Sequence, residues 1–364
     1  MMRVVIATDS FPAVSSALAG AAMGEAFADR GAEVAVVPIG AAGRGFSQAA
    51  SDLLRAPVEL MTVAGQVFTL TRQGGTSVLS VAGDPDLLPT RRIDRHSTSV
   101  VIGRAVALVL ADSPDELVLE MPATTIHDGG AGLLAALGAV ADKPLDAGVE
   151  GLRGITSVDL GAVRALVGRT RISLVVEADE VARHLVGLRG ITSVRGHAAG
   201  VVSDPADLLA LDQNLVDLAA ACGSVESVSA GSGAGGGLGF ACLLLGGRVL
   251  TGSQWCSEHS GLPTTAKAAD LVVSGGGRLD FGSMGGEVLT HVTQVAGDAL
   301  RPVVVVAGAN FISARELRSV GVEAAYSVRP GADDVDTITV EEITEATRAV
   351  AASWTWPPLG GGPE

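Results

Sequence analysis

Three stretches constrain this chain before anything else does: RVVIATDS at 3–10, DLVVSGGG at 270–277 and PVVVVAGAN at 302–310. Each is an unbroken aliphatic run ending in small or polar residues, without the alternation of a strand wetted on one face. Strands of that kind are buried on both sides, in a parallel sheet covered by helices. The intervening sequence supplies those helices. After the first run, Ala17, Leu18, Ala21, Ala22 and Phe27 give an apolar helical face, Gly31 a stop, and AEVAVVPI the next strand, so the chain opens on a βαβ unit. Thr8, Asp9 and Ser10 then fall just past the carboxyl end of a parallel strand, where open α/β sheets bind ligands.

The same grammar returns near the end, where 270–277, 302–310 and AAYSV at 324–328 read as three strands separated by helices. Between lie DELVLEMPA at 115–123, a helix from about Gly130 to Val140, and RISLVVEAD at 171–179. A further helix is well marked: Asp204 caps it, Pro205 sits in its first turn, leucines recur from Leu208 to Leu218, and Gly223 ends it. At 364 residues the chain exceeds what one core serves. The expected architecture is α/β in two domains: a discontinuous Rossmann-like domain of 1–85 and 266–350, an inserted α/β domain of 86–265, and a disordered tail at 351–364. With 3% aromatic residues, the cores must be built from Val, Leu, Ile and Ala.

Charge and cysteine usage narrow the partners. A net charge of −15 with no basic cluster argues against nucleic acid and anionic membrane. Three cysteines without a C-x-x-C pair suggest neither a disulfide framework nor a zinc site, nothing marks a haem site, and a cytoplasmic location fits best. The expected partners are a small anionic metabolite or nucleotide, and a protein partner or second copy. Of 25 basic residues only Lys143 and Lys267 are lysine, which looks like a codon bias toward arginine.

The chemistry-bearing stretches are rich in glycine. SGGGRLDFGSMGGE at 274–287 has the look of a loop made to approach an anion, yet Arg278 stands against Asp280 and Glu287. In TTIHDGGAGLLAALG at 124–138, Asp128 precedes Gly129, Gly130 and a helix; it is either a cap or a base beside an anion, and capping is the commoner use. GSGAGGGLG at 231–239 contains G-x-G-x-x-G at Gly231, Gly233 and Gly236, with Glu258 at a distance suited to a ribose, but SVESVSA before it makes a poor strand. GLRGITSV occurs at both 151–158 and 187–194 with unlike flanks, which reads as coincidence. His127 reads as a hydrogen-bonding surface residue, and Cys256, Glu258 and His259 as a solvated loop. Arg44 is balanced between binding and plain surface charge.

Taken in order from Arg3 to about Pro330, these stretches resemble the class I glycerate kinase family. ATDSF resembles its D-S-F-K-G-S, TTIHDGGAGLL its A-T-N-D-G-G-A-G-M, GSGAGGGLG its G-A-G-A-A-G-G-L-G, VVSGGGRLDFGSMGGEV its T-G-E-G-R-L-D-x-Q-T-x-x-G-K-V, and HLVGLRGITSVRG its P-L-x-G-x-x-G-A-S-x-V-F-G. The resemblance implies a two-domain α/β fold that binds glycerate and ATP with Mg2+ and transfers the γ-phosphoryl group. It also implies an altered site. Pro12 stands where the family has lysine, Ala41 and Arg44 replace two acids, and Ser80 replaces a glutamate. Pro122 and Ala123 replace a glycine pair, Ile126 a threonine, and His127 an asparagine. Gly276 replaces a glutamate, Gly282 a glutamine, and Ala199 and Glu287 two lysines.

By the resemblance the cleft would be lined by Asp9, Ser10, Arg44, Gly129, Gly130, Gly235, Gly236, Gly237, Gly277 and Arg278. If the protein is active, Asp128 would be the base and Asp9 and Asp280 the magnesium ligands. The leading expectation is a catalytically degenerate relative that binds a small molecule or partner, the alternative an active ATP-dependent glycerate kinase, and the third a dinucleotide-binding oxidoreductase.

Overall fold

The computed structural model describes residues 1–81, 93–198, 204–282 and 284–355. In chain order it runs through β1 (Arg3–Thr8), the helix Ser16–Ala28, β2 (Glu33–Pro38) and the helix Phe46–Leu54. It then passes through β3 (Glu59–Val63), β4 (Gln66–Gln73), β5 (Thr76–Val81), β6 (Glu116–Glu120), β7 (Val140–Ala141), β8 (Val158–Asp159), β9 (Arg171–Val176) and β10 (Arg248–Thr251) with their helices. It returns through β11 (Leu271–Leu279), β12 (Val303–Asn310) and β13 (Ala324–Ser327).

The first compact unit joins Met1–Arg55 to the chain from Gly252 onward. Its sheet is wholly parallel, in the order β13-β12-β11-β1-β2. From β1 the order runs one way to β2, and from β11 the other way to β13. The reversal lies between β1 and β11, the topological switch point where such sheets open a crevice at the carboxyl edge.

The helix Ser16–Ala28 corrects the face read from its sequence. Leu18 is 56% exposed, whereas Gly20 and Gly24 are buried. A Cβ at Gly20 would lie 2.5 Å from Val36 Cγ1, so a face of small residues lets the helix settle close on β2. The segment 351–364 is corrected in part. The helix Val340–Trp354, closed at its start by a capping box of Thr339 and Glu342, includes Ala351–Trp354, and the Trp354 indole N–H donates to the Tyr326 hydroxyl at 3.0 Å. Residues 356–364 lie outside the described residues.

The second unit is Ala56–Thr251. Its sheet has the order β10-β9-β6-β5-β4-β3, antiparallel from β3 to β5 and parallel from β5 to β10. A two-stranded β7–β8 ribbon stands beside it. The unit begins at 56 rather than 86 because β5 pairs in register with β6, from Thr76 on Glu116 to Ser80 on Glu120. It ends at 251 rather than 265 because the helix Gly252–Ser260 packs in the first unit, with Trp255 buried edge-on against Phe46 at 5.5 Å.

The helix Pro205–Ala221 has the expected Asp204 cap, which accepts from the Ala206 amide. The octapeptide folds two ways, its first copy running from the end of a short helix into β8 and its second making a turn and the helix Ile191–Gly196. No helix among the described residues is long and apolar enough to cross a membrane.

Candidate functional site

The switch point of the first unit carries the residues expected there. Asp9 follows β1 directly, its amide donating to the Gly275 carbonyl of β11. Its carboxylate Oδ1 accepts from the Ser10 amide at 2.7 Å and, more loosely, from the Ser10 hydroxyl at 3.4 Å. Burial pushes the Asp9 carboxyl up to about 6; the Ser10 bonds oppose this, the Glu287 charge adds to it and the Arg44 charge subtracts from it. Asp9, Arg44 and Glu287 therefore share one electrostatic neighbourhood at the sheet edge. Arg44 is exposed on a tight turn in which its amide returns to the Ala41 carbonyl.

Glu287 stands in the first turn of the helix Gly286–Asp298 and accepts on Oε1 from the Ser253 amide at 2.9 Å and hydroxyl at 2.7 Å. Its acid thus serves a serine amide at the start of the helix Gly252–Ser260, a use that sequence reasoning missed. No local signal joins residues 34 apart.

The glycine stretch 274–277 is not a loop. It continues β11, paired with β12 from Val272 on Val303 to Leu279 on Asn310. Its glycines are needed for close approach: a Cβ at Gly275 would lie 2.6 Å from the Val306 carbonyl oxygen, and one at Gly277 3.0 Å from Pro12 Cδ.

Arg278 forms an ion pair with Asp280 at 3.0 Å and lies over the Phe311 ring at 4.4 Å. Asp280 also accepts from the Gly282 amide. Its carboxylate thus serves the turn after β11, and the acid whose charge raises Asp9 is Glu287.

In the second unit Asp128 is fully buried and a hub. Its Oδ2 accepts from the Ser99 amide at 2.7 Å, the Ser99 hydroxyl at 2.8 Å and the Gly132 amide at 3.1 Å, and its Oδ1 from the Gly130 amide at 2.9 Å. Burial raises its carboxyl and these bonds oppose the rise. An enclosed carboxylate spent on four donors ties the helix Val100–Leu110 to the helix Ala131–Ala136. In this arrangement it acts as a cap.

His127 is fully buried, correcting its surface reading. Its Nε2 lies 3.0 Å from the Thr192 hydroxyl, and desolvation followed by the Arg195 charge holds the imidazole well below its usual range, hence neutral. Arg195, 4% exposed, donates to the Ile126 carbonyl. Histidine and arginine together brace the segment before Asp128.

Gly235, Gly236 and Gly237 take positive φ in succession, at 58°, 73° and 101°. A Cβ at Gly236 would fall 1.9 Å from the Ile126 carbonyl oxygen, one at Gly237 2.3 Å from Gly129 Cα, and one at Gly130 2.6 Å from Ala241 Cβ. These glycines serve backbone-on-backbone packing, and the Gly235 amide already donates to Glu180 at 2.6 Å. The dinucleotide reading loses its context. A short 3-10 turn at Glu226–Val228 precedes the glycines where a strand is required, and Glu258 lies in the other unit. Cys256, Glu258 and His259 belong to the helix Gly252–Ser260 rather than a loop, with His259 stacked on Trp255 at 4.7 Å.

The sequence profile of the glycerate kinase family matches residues 4–355. The glycerate kinase of Bacillus subtilis strain 168 is 27% identical over 97% of this chain and 97% of its own. That of Haemophilus influenzae is 28% identical over 84% and 86%, and the glycerate 2-kinase of Escherichia coli K12 is 25% identical over 97% and 98%. A crystal structure of a candidate glycerate kinase 2 from Salmonella typhimurium LT2 covers 97% of this chain and 98% of its own at a TM-score of 0.78 and 23% identity, a likeness of fold.

Proposed function

The chain belongs to the glycerate kinase family, and from that premise we propose that it transfers a phosphoryl group from ATP to a hydroxyl of glycerate. One observation carries the reading: Asp9, at the switch point of a parallel sheet, holds a carboxyl pushed up to about 6 with a cation and a second acid in its field. A base is most effective with a pKa near the working pH. Asp9 takes the proton of the attacking hydroxyl as its oxygen bonds to the γ-phosphorus. The bond from that phosphorus to the β-phosphate oxygen breaks, and ADP leaves. Arg44 supplies positive charge where the phosphoryl oxygens gain negative charge.

Magnesium would be held here by a carboxylate together with substrate phosphates, as is usual for that ion; among the described residues no group of three or more His, Cys, Asp or Glu could hold a metal by itself. Glu287, whose charge acts on Asp9, is the residue that would hold the ion. When bound, the ion neutralises charge on the phosphates.

A second reading, a relative that binds without turnover, draws on the ion pair between Arg278 and Asp280 and on Glu287 serving Ser253. The sequence replacements taken alone put that reading first. Likeness over nearly the whole chain to proteins named glycerate kinase supports the opposite order. A coupled assay for ADP with D-glycerate, ATP and Mg2+ decides between them. The expected result is turnover that Asp9→Asn lowers by about 10²–10⁴-fold; folded wild type with no turnover would establish the second reading.

A further inference from the structure

The amino end of the second unit's sheet carries a charged cluster that phosphoryl transfer at Asp9 does not use. Side chains alternate along a strand, and paired residues of neighbouring strands share a face. Arg171 and Ser173 are two apart on β9; Arg171 pairs with Glu116 of β6, and Ser173 with Arg248 of β10. All four therefore project from one face of three adjacent strands, while Ile172 and Leu174 turn to the core on the other. With Gly246 and Gly247, in the turn between the helix Ala234–Leu244 and β10, they line a cavity of about 420 Å³. That is within the range of a small-molecule site.

Glu116 is the least exposed of the three charged side chains, at 12%. Its Oε1 accepts from the Ser173 hydroxyl at 3.0 Å, and the Ser173 oxygen accepts from Arg248 Nε at 3.1 Å. This relay orients the Arg248 guanidinium by one edge. The terminal nitrogens of Arg248 and Arg171 reach the Glu116 carboxylate at 3.7 and 3.9 Å, distances of charge attraction rather than of hydrogen bonding. Two guanidiniums against one carboxylate leave a local positive charge in a chain whose net charge is −15.

The guanidinium fork matches phosphate oxygens in bidentate geometry. A phosphate monoester carries about 1.5–2 negative charges at pH 7, enough to engage two arginines, where a monocarboxylate offers one. The cavity has room for more than the phosphate. A second anionic group would meet the Glu116 carboxylate, which repels it; a hydroxyl there finds an acceptor.

We propose that this cavity binds the phosphate monoester of a small uncharged polyol, with Arg171 and Arg248 holding the phosphate and Glu116 accepting from a hydroxyl of the organic part. The site lies wholly within the second unit and does not rest on the kinase reading.

The test is calorimetric titration of the full chain carrying Arg44→Ala, so that Arg44 contributes no anion binding, with inorganic phosphate, glycerol phosphate and glycerol. The expected result is saturable binding of inorganic phosphate, binding of glycerol phosphate at least threefold tighter, and none of glycerol. Adding Arg171→Glu, at a side chain 74% exposed, reverses the local charge away from the core and should weaken both phosphates by at least tenfold. Arg248→Ala should do the same; should it not fold, Arg248→Lys keeps the charge without the fork and should weaken both by about threefold. Absence of saturable phosphate binding before Arg171 is changed, or undiminished binding in folded Arg171→Glu, overturns the proposal. Equal affinity for inorganic phosphate and glycerol phosphate overturns the choice of a polyol ester. The readout is binding, so a wild type without turnover leaves this site standing, and a wild type that turns over while Arg171→Glu binds phosphate undiminished removes this site alone.

Discussion

Asp9→Asn should make the protein more stable while removing its activity, and the gain should depend on pH in a stated direction. The Asp9 carboxyl titrates at about 6 in the folded protein against 3.8 for an ordinary aspartate. Between those values the folded state binds more protons than the unfolded state, so stability falls as pH rises through the window. The shift is about 2.2 units, and at 1.36 kcal/mol per unit the ionised carboxylate costs up to about 3 kcal/mol above pH 6 and nothing below pH 4. Asparagine keeps an Oδ1 acceptor for the Ser10 amide and has no charge to desolvate. Urea unfolding of wild type and variant from pH 4 to pH 8, with a probe in the first unit, should show curves that nearly coincide at pH 4 and separate by 1–3 kcal/mol at pH 7.5. Parallel curves across that range, or a variant less stable at pH 7.5, would refute the assignment of Asp9 as a carboxylate held against desolvation.

Other substitutions probe the rest of the site. Glu287→Gln removes one cause of the raised Asp9 carboxyl, so the acid limb of the kcat/KM profile should move to lower pH while half-saturation by Mg2+ rises about tenfold; a profile that does not move separates the two residues. Arg44→Ala should lower kcat by about 10²-fold with little change in thermal stability, since the side chain is exposed. Asp128→Ala should fail as a fold rather than as a catalyst: four buried donors lose their acceptor, costing roughly 3–5 kcal/mol, read as lowered soluble yield and melting temperature. Gly236→Ala places a methyl 1.9 Å from the Ile126 carbonyl oxygen at positive φ and should destabilise the second unit by more than about 3 kcal/mol, measurable by denaturant unfolding.

Much of this architecture is legible in the sequence because aliphatic runs, a cap such as Asp204 and stops such as Gly31 act locally. The carboxyl-edge position of Asp9 follows from the same pattern. Glycine is where reading fails. The residue that frees a loop to approach a phosphate also lets β11 lie against β12 and lets Gly236 meet Ile126, and composition is identical in the two cases. The inward face of the helix Ser16–Ala28 was hidden for a related reason, since hydropathy favours Leu18 while the approach of β2 selects Gly20 and Gly24. His127 and Glu287 were missed because their partners, Thr192, Arg195 and Ser253, are distant along the chain and common in type.

The order of strands around the switch point also sets a timetable for synthesis. β1 and β2 leave the ribosome early, but the neighbour that β1 requires is β11, which arrives only after the whole contiguous second unit. At translation rates of about 5–20 residues per second, the roughly 260 residues between Thr8 and Leu271 take about 13–52 s. The second unit thus has every strand of its own sheet before the first can close, and during that interval the nascent chain carries a buried-type aliphatic strand, Val4–Ala7, with one edge still open.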